Sequence, residues 1–300
     1  MSVLLSSVNG VAASLFATLF PSDCRLCGTP LTNISRLPVC QACLIAIRPI
    51  AGGTCSVCGE RLLSPHDFAA GQDEARRGLC QRLAPPPFSK AAAYGSYDGG
   101  LRESMHLLKY EQVRPAATAL GRMLAEASAG LESASASSLA QTPLAVVPVP
   151  LHARKLRQRG FNQSELIGRS ALKVSRVSGR LALHAGVLGR RRETQSQTGL
   201  TRHQRRENIR GAFVVARPEQ IAGREVPLVD DVFTIGTTVS ECARVLHRAG
   251  ASKIYVATVA RTLKAKDATV LRNFGVAGQT EPGKTECEGT EHAKTLAAAG

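Results

Sequence analysis

Apolar residues recur along the chain in two periods, and their order predicts an α/β protein. Val226, Leu228 and Val229 form a short apolar run that ends at Asp230 and Asp231 and gives way to small residues from Thr234 to Thr238. Val239, Cys242, Ala243 and Leu246 then fall at i, i+3, i+4 and i+7, one face of a helix, and Gly250 is placed to cap its end. Residues 253–259 read as a second buried strand, so the segment is a parallel βαβ unit with a right-handed crossover. Upstream, residues 91–97 and 143–150 read as strands, and Asp98-Gly-Gly100 as a turn. Helical spacing fills residues 101–129 (Leu101, Met105, Leu108, then Leu120 and Leu124) and breaks near Arg114-Pro115. Another helix begins near Asn162 or Ser164, and the Ser/Ala-rich stretch 130–142 reads as a loop.

The same patterning divides the chain. In residues 1–20, Leu4, Val8, Val11, Ala12, Leu15 and Leu19 keep helical spacing, which predicts an amphipathic helix docked on the protein. A cysteine-bearing segment spans 21–84, and Leu83 to Phe88, with Pro85, Pro86 and Pro87, is a stiff linker at the domain boundary. The α/β domain occupies 88–262. Residues 263–300 are rich in Lys, Glu, Gly and Thr with little apolar patterning and read as a disordered tail.

Charge sharpens this picture. Of a formal net charge of +15, residues 154–210 contribute fifteen Lys/Arg against three Glu. Such density implies polyanionic partners, either phosphorylated small molecules or nucleic acid. Aromatic residues are only 4% and Trp is absent, which argues against a base-stacking surface for single strands. Residues 1–20 carry no charge and no Lys or Arg precedes Arg25, so no secretory leader is expected. Ser6, Ser7, Asn9, Gly10 and Ser14 interrupt any membrane span there, leaving weak attachment to a membrane surface as that helix's alternative use. A cytoplasmic location is expected.

Cysteines form a second system. Cys24-x-x-Cys27 and Cys40-x-x-Cys43 lie twelve residues apart, Cys55-x-x-Cys58 follows eleven residues later, and Cys80 stands beyond. Each pair brings two thiolates to one metal ion on a tight knuckle, with Gly28 and Gly59 just past two of them. Four thiolates select zinc, and a closed site of that kind is structural. In a reducing compartment disulfides are the weaker alternative. Cys55, Cys58 and Cys80 supply three ligands to a second site, because positions 77 and 83, where a regular ribbon would place a fourth cysteine, are Arg and Leu. His66 is the candidate to complete it; the alternative is that the site stays incomplete.

The remaining chemistry collects at strand ends. After the first strand of the βαβ unit, the helix start offers backbone N–H groups and partial positive charge, Gly236 permits close approach, and Thr234, Thr237 and Thr238 add hydroxyl donors. This is a phosphate cradle. The adjoining Asp230 and Asp231 would repel a phosphate unless they serve ribose hydroxyls or a magnesium ion. After the strand at 143–150 comes a loop with Arg154, Lys155, Arg157 and Arg159, a second anion site suited to a diphosphate. Residues 190–213, polar and basic and including Arg192, read as a mobile hood; a nucleic-acid arm would have the same composition.

The acidic pair with its loop resembles the phosphoribosyl-diphosphate loop of type I phosphoribosyltransferases, with Ile235 where that family often has a small or hydroxylated residue. The chain as a whole resembles the ComF family, which includes competence accessory proteins and GntX-type proteins. The residues carrying this are the cysteine pairs, Pro86-Pro-Phe88, Leu108-Lys-Tyr110, Val147-Pro-Val-Pro150 with Arg159-Gly-Phe-Asn-Gln163, Arg192-x-Thr194-x-x-Gln197 with Arg206-x-Asn208, and Leu228-Val-Asp-Asp231 with Thr234 and Gly236. The resemblance covers roughly residues 15–262. Arg77 stands in place of an expected cysteine. The resemblance implies a small double zinc-ribbon domain followed by a type I phosphoribosyltransferase fold, a Rossmann-like parallel sheet with a flexible hood. It implies structural zinc, and magnesium bound with phosphoribosyl diphosphate. Asp230 and Asp231 would be the catalytic pair, Thr234 to Thr238 (with Ile235) would hold the 5′-phosphate, and Lys155, Arg159 and Arg192 would serve the diphosphate side. The reaction implied is displacement of diphosphate by a nitrogen nucleophile from an acceptor the sequence does not name. The competing expectation is a non-catalytic protein that senses a nucleotide and contacts single-stranded DNA or the DNA-uptake machinery.

Overall fold

A computed structural model describes residues 22–31, 36–62, 80, 85–132, 144–175, 180–194 and 201–263. The expected N-terminal helix, His66, Arg77, Gln197 and the tail from 264 onward lie outside the described residues.

Five parallel strands form the frame: β1 Lys90–Ser96, β2 Leu144–Pro148, β3 Leu181–Leu183, β6 Glu225–Phe233 and β7 Lys253–Arg261, in the spatial order β1-β7-β6-β2-β3. β4 Leu188–Arg190 and β5 Phe213–Val215 make a separate antiparallel pair. The helices are α1 Gln41–Ala46, α2 Gly99–Lys109, α3 Ala116–Glu132, α4 Ala153–Arg159, α5 Gln163–Val174, α6 Arg202–Ile209 and α7 Thr237–Arg248. β7 lies between two strands and is buried from Ile254 to Arg261, which its nearly unbroken apolar run allows.

Alternate residues of the central strands feed two cores. Val147, Leu228, Ile254 and Val256 pack with Val239, Cys242 and Leu246 of α7 on one face. Val146, Val229, Tyr255 and Ala257 pack with Met105, Leu120, Leu124 and Ile167 of α2, α3 and α5 on the other. The helical pattern expected across 101–129 is two helices: the first ends at Lys109, Gln112 adopts φ +57° between them, and the second starts directly after Pro115. Two other expectations change. β6 runs through the acidic pair to Phe233 instead of ending at Val229, and the basic stretch after β2 is a short helix, α4, instead of an open loop. α4 is bounded by His152, whose ring accepts from Arg154 N–H, and by Gly160 at φ +76°.

The cysteine-bearing segment packs on the free edge of β1. Ile50 N–H donates to Tyr94 O at 2.7 Å, and Ala91 N–H to Val57 O at 2.7 Å, which covers an otherwise open edge. Among the described residues no helix is long and apolar enough to cross a membrane.

The connection from β2 to β3 runs to one side of the sheet, and that from β6 to β7 to the other. The divergence leaves a crevice at the carboxyl ends of β2 and β6, the place where open parallel sheets bind ligands.

Candidate phosphate and ribose site

Both predicted segments meet at this crevice. Asp230 and Asp231 are adjacent strand residues and therefore point to opposite faces. Asp230 is buried, and its Oδ1 accepts from Ser164 Oγ at 3.0 Å and from Asp231 N–H at 2.9 Å. Burial, and then the charge of Asp231, push its carboxyl up to about 7, against the hydrogen bonds and Lys109 that favour the anion. Asp231 is also buried, and Lys109 Nζ sits 2.6 Å from its Oδ2. Burial disfavours the ammonium ion of Lys109, but the attraction of Asp231 outweighs it and raises the Lys109 pKa. The same Nζ lies 5.9 Å from the centre of the Tyr97 ring.

Immediately after β6 the chain turns through Thr234 and Ile235 into Gly236, the N-cap of α7, at φ +75°. A Cβ there would meet Phe233 Cζ at 2.7 Å, so both backbone and space require glycine. No side chain caps α7, whose leading amides have no intrahelical acceptors. Thr237 Oγ1 is buried and has no hydrogen-bond partner among the described residues. An uncapped helix start beside an orphaned buried hydroxyl suits an anion with several acceptor oxygens. Thr234 is exposed, while Ile235 and Thr238 are half-buried at the rim.

Across the crevice, Asn162 caps α5 by accepting from Ser164 N–H at 3.1 Å while donating to Val149 O at 3.0 Å. That cap aims Ser164 at Asp230. Arg159 Nη1 donates to Gln163 Oε1 at 2.6 Å, and its guanidinium lies 5.7 Å from the Tyr110 ring centre. The Lys155 pKa is lowered by burial and then by the positive charges of Arg190 and Arg159, so three cations share one neighbourhood. Arg190 closes β4, lies 5.4 Å over the Phe213 ring, donates to Thr194 Oγ1, and keeps its buried Nε unpartnered among the described residues. Burial depresses its pKa, while the charge of Asp230 acts in the opposite direction.

The structure thus gathers Asp230, Asp231, the 234–238 loop, Lys155 and Arg159. Arg192 is used differently: its Nη2 donates to Asn208 O at 2.8 Å and Arg210 O at 2.9 Å, tying the end of α6 to the strand pair. The expected hood, 190–213, connects the two strands of that pair and contains α6, whose start is fixed by a capping box between Thr201 and Gln204. Lys109, Ser164 and Arg190 join the candidate site; beforehand Lys109 stood out only within Leu108-Lys-Tyr110, Ser164 as a helix start and Arg190 as the first residue of the hood.

The cysteines also come together. The ligand atoms of Cys24, Cys27, Cys40 and Cys43 lie within 4.8 Å of one another, as do those of Cys55, Cys58 and Cys80. Cys24–Cys43 and Cys27–Cys40 Sγ separations are 3.9 and 3.8 Å. Zinc–sulfur bonds of about 2.3 Å at tetrahedral angles require roughly 3.8 Å between sulfurs, so the first set fits zinc. Cys40 N–H donates to Cys24 Sγ at 3.3 Å, orienting the thiolate. In both sets the knuckle closes by a glycine amide, Gly28 to Cys24 O and Gly59 to Cys55 O.

A double zinc ribbon domain model matches residues 15–85. The DNA utilization protein YhgH of Salmonella typhi is 32% identical over 81% of this chain and 98% of its own length. Its counterpart in Escherichia coli K12 is likewise 32% identical, with the same shares covered. The chain belongs to the ComF family. Competence protein F of Haemophilus influenzae is 28% identical over 74% of this chain and 96% of its own length. A solved structure of the allosteric regulatory enzyme of purine biosynthesis aligns with 52% of this chain and 30% of its own, at 20% identity and a TM-score of 0.31. In this ComF chain the zinc-ribbon segment holds one complete thiolate set and one set of three, followed by an α/β domain on a parallel five-stranded sheet.

Proposed function

We propose that this ComF protein binds phosphoribosyl diphosphate, or a nucleotide presenting the same phosphoribosyl group, and transfers phosphoribose to a nitrogen nucleophile. The observation that carries this reading is the pairing of two buried carboxylates with an uncapped helix start and an orphaned threonine hydroxyl, at the carboxyl end of one strand. The 234–238 loop would hold the 5′-phosphate. Asp230 and Asp231 would accept from the ribose hydroxyls and stabilise positive charge developing on the ring. Lys155, Arg159 and Arg190 would receive the diphosphate, the C1–O bond breaking as the C1–N bond forms.

Carboxylates suit a hard divalent cation, so Asp230 and Asp231 would stand beside magnesium carried in with the substrate, where it would neutralise the leaving group. Lys109 supplies balancing positive charge to Asp231. Residues 190–213 would exclude water so that hydrolysis does not compete.

A second reading, a nucleotide-sensing accessory that contacts single-stranded DNA, draws on the exposed basic residues of α6 and on the names of the relatives, a DNA utilization protein and a competence protein. The discriminating experiment is a thermal-shift series with phosphoribosyl diphosphate plus magnesium, nucleotides, and single-stranded DNA. A ligand at a hundred times its Kd stabilises by about 2.7 kcal/mol. Phosphoribosyl diphosphate should raise Tm in the wild type and leave Asp230→Asn/Asp231→Asn, folded but less stable for its stranded Lys109, unmoved. An equal response in both proteins would exclude this assignment of the loop.

A further inference from the structure

The second cysteine set and the phosphate loop are far apart in sequence, yet one side chain joins them. Arg261 ends β7 and is 3% exposed. Its Nη1 donates to the carbonyl of Cys58, inside the knuckle, and its Nη2 lies 3.9 Å from Glu60 Oε2, just past it. Its guanidinium stands 4.6 Å from the centre of the Phe233 ring. That ring is the surface on which Gly236 rests, 2.7 Å from where a Cβ would be. Strand register pairs Phe233 with Arg261, and Thr262 N–H donates to Phe233 O at 3.0 Å, so ring and guanidinium have little freedom to part. Knuckle, guanidinium, ring and loop are successive contacts.

Burying an arginine is costly unless negative charge faces it. Glu60 supplies part. Three thiolates around one divalent zinc carry a net charge of minus one, and they surround the carbonyl that Arg261 holds. Metal would tie the three sulfurs to one centre and so fix the knuckle carbonyl that Arg261 holds. Arg261 Nε has no partner among the described residues, so the side chain is held by the knuckle on one side and the ring on the other.

We propose that Arg261 is a positioning residue through which the metal content of the Cys55, Cys58 and Cys80 set governs the geometry of the 234–238 loop. The coupling rests on these contacts; only the identity of the loop's ligand rests on the phosphoribosyl reading.

The test uses the full chain as wild type, Cys80→Ser, Arg261→Met and the double variant. Zinc content, hydrogen exchange of peptides covering 232–240, and the Kd of phosphoribosyl diphosphate with magnesium are measured for each. Cys80→Ser should lose one zinc equivalent and Arg261→Met should lose none, yet both should speed exchange across 232–240. Both should weaken the ligand about tenfold, a usual scale for coupled sites. The double variant should be no worse than either single one. Arg261→Lys keeps charge without the stacking plane, should fall between wild type and Met, and replaces the Met variant if that fails to fold. Unchanged exchange at 232–240, additive effects, or a wild type with a single zinc equivalent would overturn the coupling. If exchange responds as stated but the wild type binds no phosphoribosyl diphosphate, the coupling stands and the phosphoribosyl reading fails.

Discussion

Lys109 and Asp231 form the site's most consequential pair, with side chains 13% and 9% exposed and 2.6 Å between Nζ and Oδ2. Removing one member of such a pair strands the other charge in a poorly hydrated place, at a cost of about 3–5 kcal/mol. Lys109→Met should therefore destabilise strongly, while Lys109→Met/Asp231→Asn should recover most of the loss; urea unfolding of both variants measures this. Equal loss in single and double variants would mean that the lysine acts through packing and not through charge. Asp230 gives a separate signature. Its folded pKa, about 7, exceeds the ordinary 3.8, so the folded chain binds the extra proton between those values. Its contribution is thus fully present below pH 3.8 and is lost as pH rises through about 7, with a limiting slope of about 1.4 kcal/mol per pH unit. Asp230→Asn should flatten the stability profile in that window. Ligand affinity should run the other way, rising with pH, because accepting from ribose hydroxyls favours the anion.

At the scale of elements, α3 and α5 approach closely because Gly121 has no side chain; a Cβ would fall 2.5 Å from Ser170 Cβ and 2.8 Å from Ala171 N. Since part of that obstacle is backbone, Gly121→Ala should cost about 1–3 kcal/mol despite alanine's better helix propensity. Gly130, on the same helix with nothing within 4 Å of its missing Cβ, is the control, and Gly130→Ala should gain up to about 1 kcal/mol. Denaturation midpoints of the two variants should move in opposite directions. Elements of this length were legible because a repeat needs several turns or strand residues to emerge, as in α7 with Val239, Cys242 and Leu246. β3, β4 and β5 have three residues each and carry no readable period. α4 was hidden by its cations, although Gly160 after it was an available stop signal. The acidic pair and its loop could be read locally, since both lie within nine residues of chain. The site roles of Ser164, visible only as a helix start, and of Lys109, visible only within Leu108-Lys-Tyr110, could not, because they rest on long-range contacts that leave no local trace.

The whole molecule concentrates charge on one stretch, and the two functional readings use that charge differently. Residues 154–210 carry fifteen of its Lys/Arg. Lys155, exposed, and the half-buried Arg159 and Arg190 share one neighbourhood at the crevice, whereas Arg206 and Arg210 are exposed around α6. Cations clustered at the crevice serve a compact ligand; cations spread along an exposed helix serve a long polyanion. A single-stranded DNA contact releases counterions, so log K should fall by about 0.7 per phosphate neutralised for each unit of log salt concentration. Arg206→Glu/Arg210→Glu should then reduce both affinity and salt slope for DNA while leaving phosphoribosyl diphosphate binding within twofold, roughly what loss of distant, screened charge would produce. Tryptic cleavage within 190–210 provides the independent readout. If this segment is a hood, phosphoribosyl diphosphate with magnesium slows cleavage and DNA at 0.15 M salt, where the Debye length is about 8 Å, does not. The reverse pattern, DNA protecting and the small ligand not, would assign the stretch to nucleic acid and leave the acidic pair as a sensor's pocket.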